Sequence, residues 1–192
     1  MSFLRIKIVP CSHDSKKKYT YVYEVENYRD KKKVKQKTLR FLGKVLFLKK
    51  ELNSDIPFAI EKFSTKNQVI AYLLAKTLAN YGFKSNATKT TFCKKDITIN
   101  LNNKTVKQKN TKIYLAINDG FLGDFTLKKV FRATDYKELT RWLVQSGLIP
   151  KPKKFDQTDK NFEIISAIIS KFGEKEAVKE MSFDEFIKKI GY

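Results

Sequence analysis

From Tyr19 to Tyr28 the chain reads Tyr-Thr-Tyr-Val-Tyr-Glu-Val-Glu-Asn-Tyr. Aromatic and β-branched residues dominate, and period two places Tyr19, Tyr21, Tyr23 and Val25 on one face of a strand. Arg29-Asp30-Lys31-Lys32-Lys33 breaks the pattern, which resumes over residues 34–42 with Leu39 and Phe41 on one face. The pair predicts a β-hairpin with a basic tip. If its pairing centres near Lys31, Tyr23 faces Leu39, Tyr21 faces Phe41, and Lys35 and Lys37 share that face nearer the tip. The aromatics would then anchor the hairpin base in the core. Residues 3–10 also alternate and end at Pro10, as a short strand does; residues 11–18 are polar and read as loop.

Elsewhere the period changes. Residues 64–82 read as a helix. Thr65 and Gln68 form a capping box, Val69, Ile70, Leu73, Leu74 and Leu78 make its apolar face, and Gly82 stops it. Residues 90–117 read as strands with a turn at Asn102-Asn103, closed by Asn118-Asp119-Gly120. Helical spacing follows at 126–133, at 135–146 with a capping box from Asp135 and Glu138, at 161–172, and in a last short helix opened by Ser182 and Glu185. Pro150-Lys151-Pro152-Lys153-Lys154 is the best candidate joint. The expected class is α+β: an antiparallel β-rich part with a basic hairpin, then a helical C-terminal third. The expected division is a basic β-rich domain over 1–120 with one packed helix, and a helical region over 121–192.

Charge sharpens this picture. The chain has 192 residues, 42% of them hydrophobic, which suffices for a real core. Its net charge is +20, an excess that opposes compaction and asks for a polyanionic partner. The excess is localised. Residues 16–50 hold 13 basic and 3 acidic side chains, residues 84–132 hold 11 and 3, and the rest is nearly balanced. A charge selected only for solubility would be spread evenly, so two basic segments point to a binding surface for nucleic-acid phosphates. The expected contacts are Lys16, Lys17, Lys18, Arg29, Lys31, Lys32, Lys33, Lys35, Lys37 and Arg40. Support is expected from Lys94, Lys95, Lys104, Lys107, Lys109 and Lys112. No stretch approaches the ~20 apolar residues of a membrane span. With two cysteines and no signal-peptide pattern, the chain reads as cytoplasmic, at the nucleoid or the ribosome.

Two resemblances add to this. A strand Val25-Glu26-Asn27-Tyr28-Arg29, a return strand Lys33-Val34-Lys35-Gln36 and the ending Leu42-Gly43-Lys44 resemble the N-terminal basic hairpin of transposases of the IS4/IS1634 type. The likeness covers residues 17–44. It implies a stand-alone relative of a nucleic-acid-associated hairpin, without the acidic triad that such transposases carry on a longer chain. Residues 126–149, a short helix, a tight turn, a longer helix and Gly147-Leu148-Ile149, look like a winged-helix core. That resemblance implies a helix-turn-helix whose second helix would offer Lys137, Thr140, Arg141 and Gln145 to DNA. Trp142 in that helix reads as core.

Signals for catalysis are few. Cys11 and His13 are two potential ligands where a structural zinc wants four. Asp96, Asp119, Asp124 and Glu138 could form a carboxylate metal cluster, but turn and helix-start positions account for three of them. The expectation is a non-catalytic nucleic-acid-binding protein with no cofactor, no metal and no membrane partner. An rRNA-binding or ribosome-associated protein, a metal-dependent nuclease or recombinase accessory, and a scaffold without a nucleic-acid role are the alternatives. DNA versus RNA and oligomeric state stay open.

Overall fold

The computed structural model describes residues 2–30, 33–52, 62–151 and 160–172. It is an α+β fold. Three strands open it: β1 (Ser2–Cys11), β2 (Asp14–Asp30) and β3 (Lys33–Phe47). They form an antiparallel meander, with β1 on β2 and β2 on β3. The polar stretch read as loop therefore belongs mostly to β2, which starts at Asp14 after a two-residue turn at Ser12-His13. Polarity misled there, because a strand on an open part of the sheet needs no apolar face at its end.

Helix α1 (Lys66–Asn80) follows. Its capping box is the predicted one: the Thr65 side chain accepts from the Gln68 N–H, and the Gln68 carboxamide accepts from the Thr65 N–H. Next come β4 (Lys84–Ser85), β5 (Thr91–Lys94), β6 (Ile97–Asn100), β7 (Thr105–Gln108), β8 (Thr111–Ile117) and β9 (Gly120–Leu122). Helices α2 (Asp124–Arg132), α3 (Tyr136–Gln145) and α4 (Lys160–Phe172) complete the described fold. The last predicted helix, from Ser182, lies outside the described residues, as does most of the candidate joint.

The strands order as β1-β2-β3-β8-β7-β6-β5-β4, with β9 on β8. One pairing joins the two halves of the sheet: β3 lies parallel to β8, Lys44 opposite Ile113 through Phe47 opposite Ala116. Gly43 sits just before this junction with φ +147, a conformation that side chains rarely adopt. The glycine of Leu42-Gly43-Lys44 thus serves the bend by which β3 leaves the meander and enters the central sheet.

One apolar cluster joins α1 (Ile70, Leu74, Leu78) to β6, β8, α2, α3 and α4 (Ile99, Leu115, Leu127, Trp142, Ile168). A smaller cluster of Val22, Val45 and Tyr114, with Leu42, Phe121 and Phe125 against it, ties the base of the meander to the start of α2. Burial raises the Tyr114 pKa well above the ordinary tyrosine value, and its hydroxyl accepts from the Phe125 N–H. Beyond these contacts the meander projects, and its far strand segments are exposed on both faces: Ile8, Val34 and Phe41 are 58–64% accessible.

Candidate nucleic-acid interface

The register of the meander decides what each face presents. At its tip Asp30 pairs with Lys33 and Glu26 with Lys37, so the connection is Lys31-Lys32, and these two residues lie outside the described ones. Two irregularities follow on β3, at Leu39 and at Leu42, each an extra residue opposite one step of β2. Tyr23 therefore faces Phe41 and Tyr21 faces Lys44, not Leu39 and Phe41 as expected. Lys35 lies opposite Tyr28 and Lys37 opposite Glu26, which places both on the face away from Tyr19, Tyr21 and Tyr23. The expectation that they share the tyrosine face is corrected.

On the lysine face, Lys33, Lys35, Lys37 and Arg40 stand across from Asp30, Tyr28, Glu26 and Glu24. All three carboxylates of residues 16–50 project there. Lys35 pairs with Asp30, and Arg40 Nε lies 3.2 Å from the buried Glu24 carboxylate. The Arg40 guanidinium also stacks 5.4 Å from the Phe125 ring, which ties it to α2. Exposed pairs such as Lys35–Asp30 contribute about 0–1 kcal/mol and open readily to a phosphate. Glu24–Arg40, with Glu24 only 7% exposed, has a structural role at the hairpin base.

The opposite face takes none of these three carboxylates; Asp14, at the start of β2, acts on it at Tyr19. Across the three strands it runs Phe3, Arg5, Lys7 and Val9; Tyr19, Tyr21, Tyr23 and Val25; and Gln36, Thr38, Phe41 and Lys44. The Phe41 ring lies 5.6 Å from Tyr21 and 5.4 Å from Tyr23. Lys44 Nζ sits 4.8 Å over Tyr19 and Lys7 Nζ 5.8 Å over Tyr23, and Arg5 donates to the Gln36 carboxamide. The Cys11 thiol, which bonds the Tyr19 hydroxyl, and Asp14 nearby hold that phenol above its ordinary pKa. These tyrosines are half-exposed and Phe41 is exposed, so they do not anchor the hairpin in the core; Val22 does that. Tyr21→Ala is accordingly expected to lower stability by about 1–2 kcal/mol, a fraction of the 3–5 kcal/mol for a buried aromatic; chemical denaturation checks this.

The second basic segment is partly engaged within the fold. Lys94 bonds to the Glu51 carboxylate and the Tyr81 carbonyl. Lys112 Nζ is 3.2 Å from Asp124 Oδ2, near enough to pair in charge though not aligned as a hydrogen bond. Lys104 lies over the Phe131 ring. Lys95 and Lys109 occupy the β5–β6 and β7–β8 turns with φ of 51 and 54, and Lys107 stands directly opposite Lys112. Of the first segment, Lys17 is 3.6 Å from Asp14, while Lys16, Lys18 and Arg29 are exposed.

Asp135 caps helix α3, its side chain accepting from the Glu138 N–H at 2.8 Å, but the expected box is not closed, because the Glu138 carboxylate accepts from the Thr134 N–H instead of that of Asp135. The helix is otherwise largely inside: Leu139, Thr140, Trp142 and Leu143 are buried, and Lys137, Arg141 and Gln145 half-buried. A helix this enclosed presents limited surface to a major groove, with Lys137 and Arg141 at its partly exposed positions. Of the candidate carboxylates, Asp124 accepts from the Val106 N–H and Asp96 from the Gln108 side chain. Among the described residues no three His, Cys, Asp or Glu side chains gather as a metal site, and no helix is long and apolar enough to cross a membrane.

Residues 6–56, which take in most of β1 and all of β2 and β3, match the N-terminal domain of the IS1634 family transposases. The projecting meander is thus the part of the chain that is similar to that domain. No curated protein and no solved structure matches the chain. The basic residues that the sequence pattern missed are Arg5, Lys7 and Lys44. They lie outside the dense lysine runs, and only strand pairing brings them together.

Proposed function

We propose that this is a non-catalytic DNA-binding protein related to mobile elements, which contacts the phosphate backbone through its N-terminal β-meander. One observation carries the reading: the segment with net charge +10 folds into an exposed sheet, and that sheet is the part matching a transposase N-terminal domain. Lys33, Lys35 and Lys37 project along one strand near the tip and Lys16 and Lys18 near the far end of β2, all of them exposed. Lys95, Lys107 and Lys109 extend the basic surface on the central sheet.

Phosphate neutralisation releases counterions, so duplex affinity should fall steeply with salt, with a log–log slope on the order of −4 to −8. Replacing Lys33, Lys35 and Lys37 together with Gln removes no buried area and should change stability by under about 0.5 kcal/mol per site. The same variant should bind duplex DNA more weakly and flatten the slope by roughly 0.9 per lost contact. Fluorescence anisotropy of a labelled duplex at several salt concentrations measures both. Undiminished binding by this variant, with an unchanged slope, would remove the hairpin from the interface.

A further inference from the structure

We infer that the tyrosine face of the meander is a stacking platform for single-stranded nucleic acid, built from Tyr19, Tyr21, Tyr23 and Phe41 and flanked by Arg5, Lys7 and Lys44. This rests on the reading above that the meander binds nucleic acid, and it adds what the second face is for.

Charge sorting is the first reason. Alternation sends Glu24, Glu26 and Asp30 to the lysine face, so the rings of Tyr21, Tyr23 and Phe41 lie among Arg5, Lys7 and Lys44, and of the β2 carboxylates Asp14, at the far end beside Tyr19, is the one that reaches that side. A sheet needing only to stay soluble has no use for that separation, whereas a surface for phosphates does. Geometry is the second. Ring centroids of Tyr19 and Tyr21 are 6.4 Å apart, about twice the ~3.4 Å rise of a stacked strand, so each ring can take one base of an unstacked, extended strand. The third is exposure. Phe41 is 58% accessible in mid-sheet, although its own contacts with Tyr21 and Tyr23 could have been made by smaller residues. Aromatic rings interleaved with cations on an open antiparallel sheet are the means by which splayed bases are held without sequence readout. The lysine face offers a single ring beside its charges among β2 residues 20–30, Tyr28 opposite Lys35, and no row of rings.

The test uses the full chain, with labelled oligo(dT), oligo(rU) and a DNA duplex as probes, read by anisotropy. The double variant Tyr21→Ile with Phe41→Ile keeps β-formers on the sheet and removes two π-faces. Single-strand affinity should fall at least about 10-fold while duplex affinity stays within about 3-fold. The residual binding of the wild type at high salt should be single-stranded, since stacking outlasts counterion release. Stronger retention of oligo(dT) or of oligo(rU) assigns the source of the strand. Wild-type binding to duplex with none to single strands would overturn the inference and leave the proposed function standing; binding to neither would overturn both. Equal losses on duplex and single strand, or self-association that depends on Phe41, would also overturn it. If the double variant fails to fold, photo-crosslinking of halogenated oligo(dU) to the wild type decides. Adducts at Tyr19, Tyr21, Tyr23 or Phe41 support the platform, and adducts confined to the central sheet refute it.

Discussion

Gly147→Ala is expected to destabilise the protein by about 2–5 kcal/mol, seen as a fall in the urea midpoint at unchanged slope. Gly147 ends α3 in a Schellman turn: its N–H donates to the Val144 carbonyl and the Leu148 N–H to the Leu143 carbonyl. Its φ is +75, which costs an L side chain about 1–2 kcal/mol by itself. The larger part is steric. A Cβ there would overlap the carbonyl oxygen of Ile117, backbone of the central strand, while Gly120 on β9 lies so close that its own Cβ would overlap the Gly147 amide. Backbone cannot rotate aside as a side chain can, and overpacking of this kind adds about 1–3 kcal/mol. Gly82 is the internal control. It ends α1 in the same turn, with φ +77, but its Cβ would meet only the carboxylate end of Glu51. Gly82→Ala should therefore cost about 1–2 kcal/mol. Similar losses at the two sites would refute the steric account.

The contrast bears on what a sequence makes legible. Both glycines were readable as helix stops, because that signal is local: an apolar helical face ends and a residue free to take positive φ follows. The capping box at Thr65 and the Asp135 side-chain cap were readable for the same reason, with donor and acceptor three residues apart. That β9 presses Gly120 against Gly147 was not readable, since it depends on where α3 returns to the sheet. Nor was the parallel pairing of β3 with β8, whose partners are 69 residues apart at Lys44 and Ile113.

The candidate interface shows the same boundary more sharply. Alternation correctly grouped Tyr19, Tyr21 and Tyr23. It could not fix the register of the return strand, because Asp30 pairs with Lys33 and two irregularities then shift the pairing step by step. With a side-chain period of two, each single-residue slip exchanges the faces. That is why Lys35 and Lys37 were expected beside the tyrosines and stand behind them. Pattern could not choose the inward face either, since Val22 and the tyrosines are both plausible core; the small Val22–Val45–Tyr114 cluster decides it.

Trp142→Ala should be about as damaging as Gly147→Ala, at about 3–5 kcal/mol, for a different reason. The indole is 1% exposed and meets Phe125 edge-on at 5.5 Å, with Lys129 and Arg141 near its ring. It holds α3 to α2, and thereby to the base of the meander through Phe125. Among the described residues its Nε1 finds no hydrogen-bond partner. A buried unpaired donor costs about 1–3 kcal/mol, so Trp142→Phe removes that penalty while giving up part of the apolar contact. The expected net cost is about 1–2 kcal/mol, well below that of the alanine variant. As the one tryptophan in the chain, Trp142 also separates core from interface. Its emission should change when α2 and α3 come apart in urea and stay constant when nucleic acid binds the meander. Trp142→Phe should keep wild-type affinity for both duplex and single strand, in contrast to the lysine and tyrosine-face variants. A binding defect in folded Trp142→Phe, or a shift of Trp142 emission on binding, would instead place α3 in the interface and revive it as the reading helix.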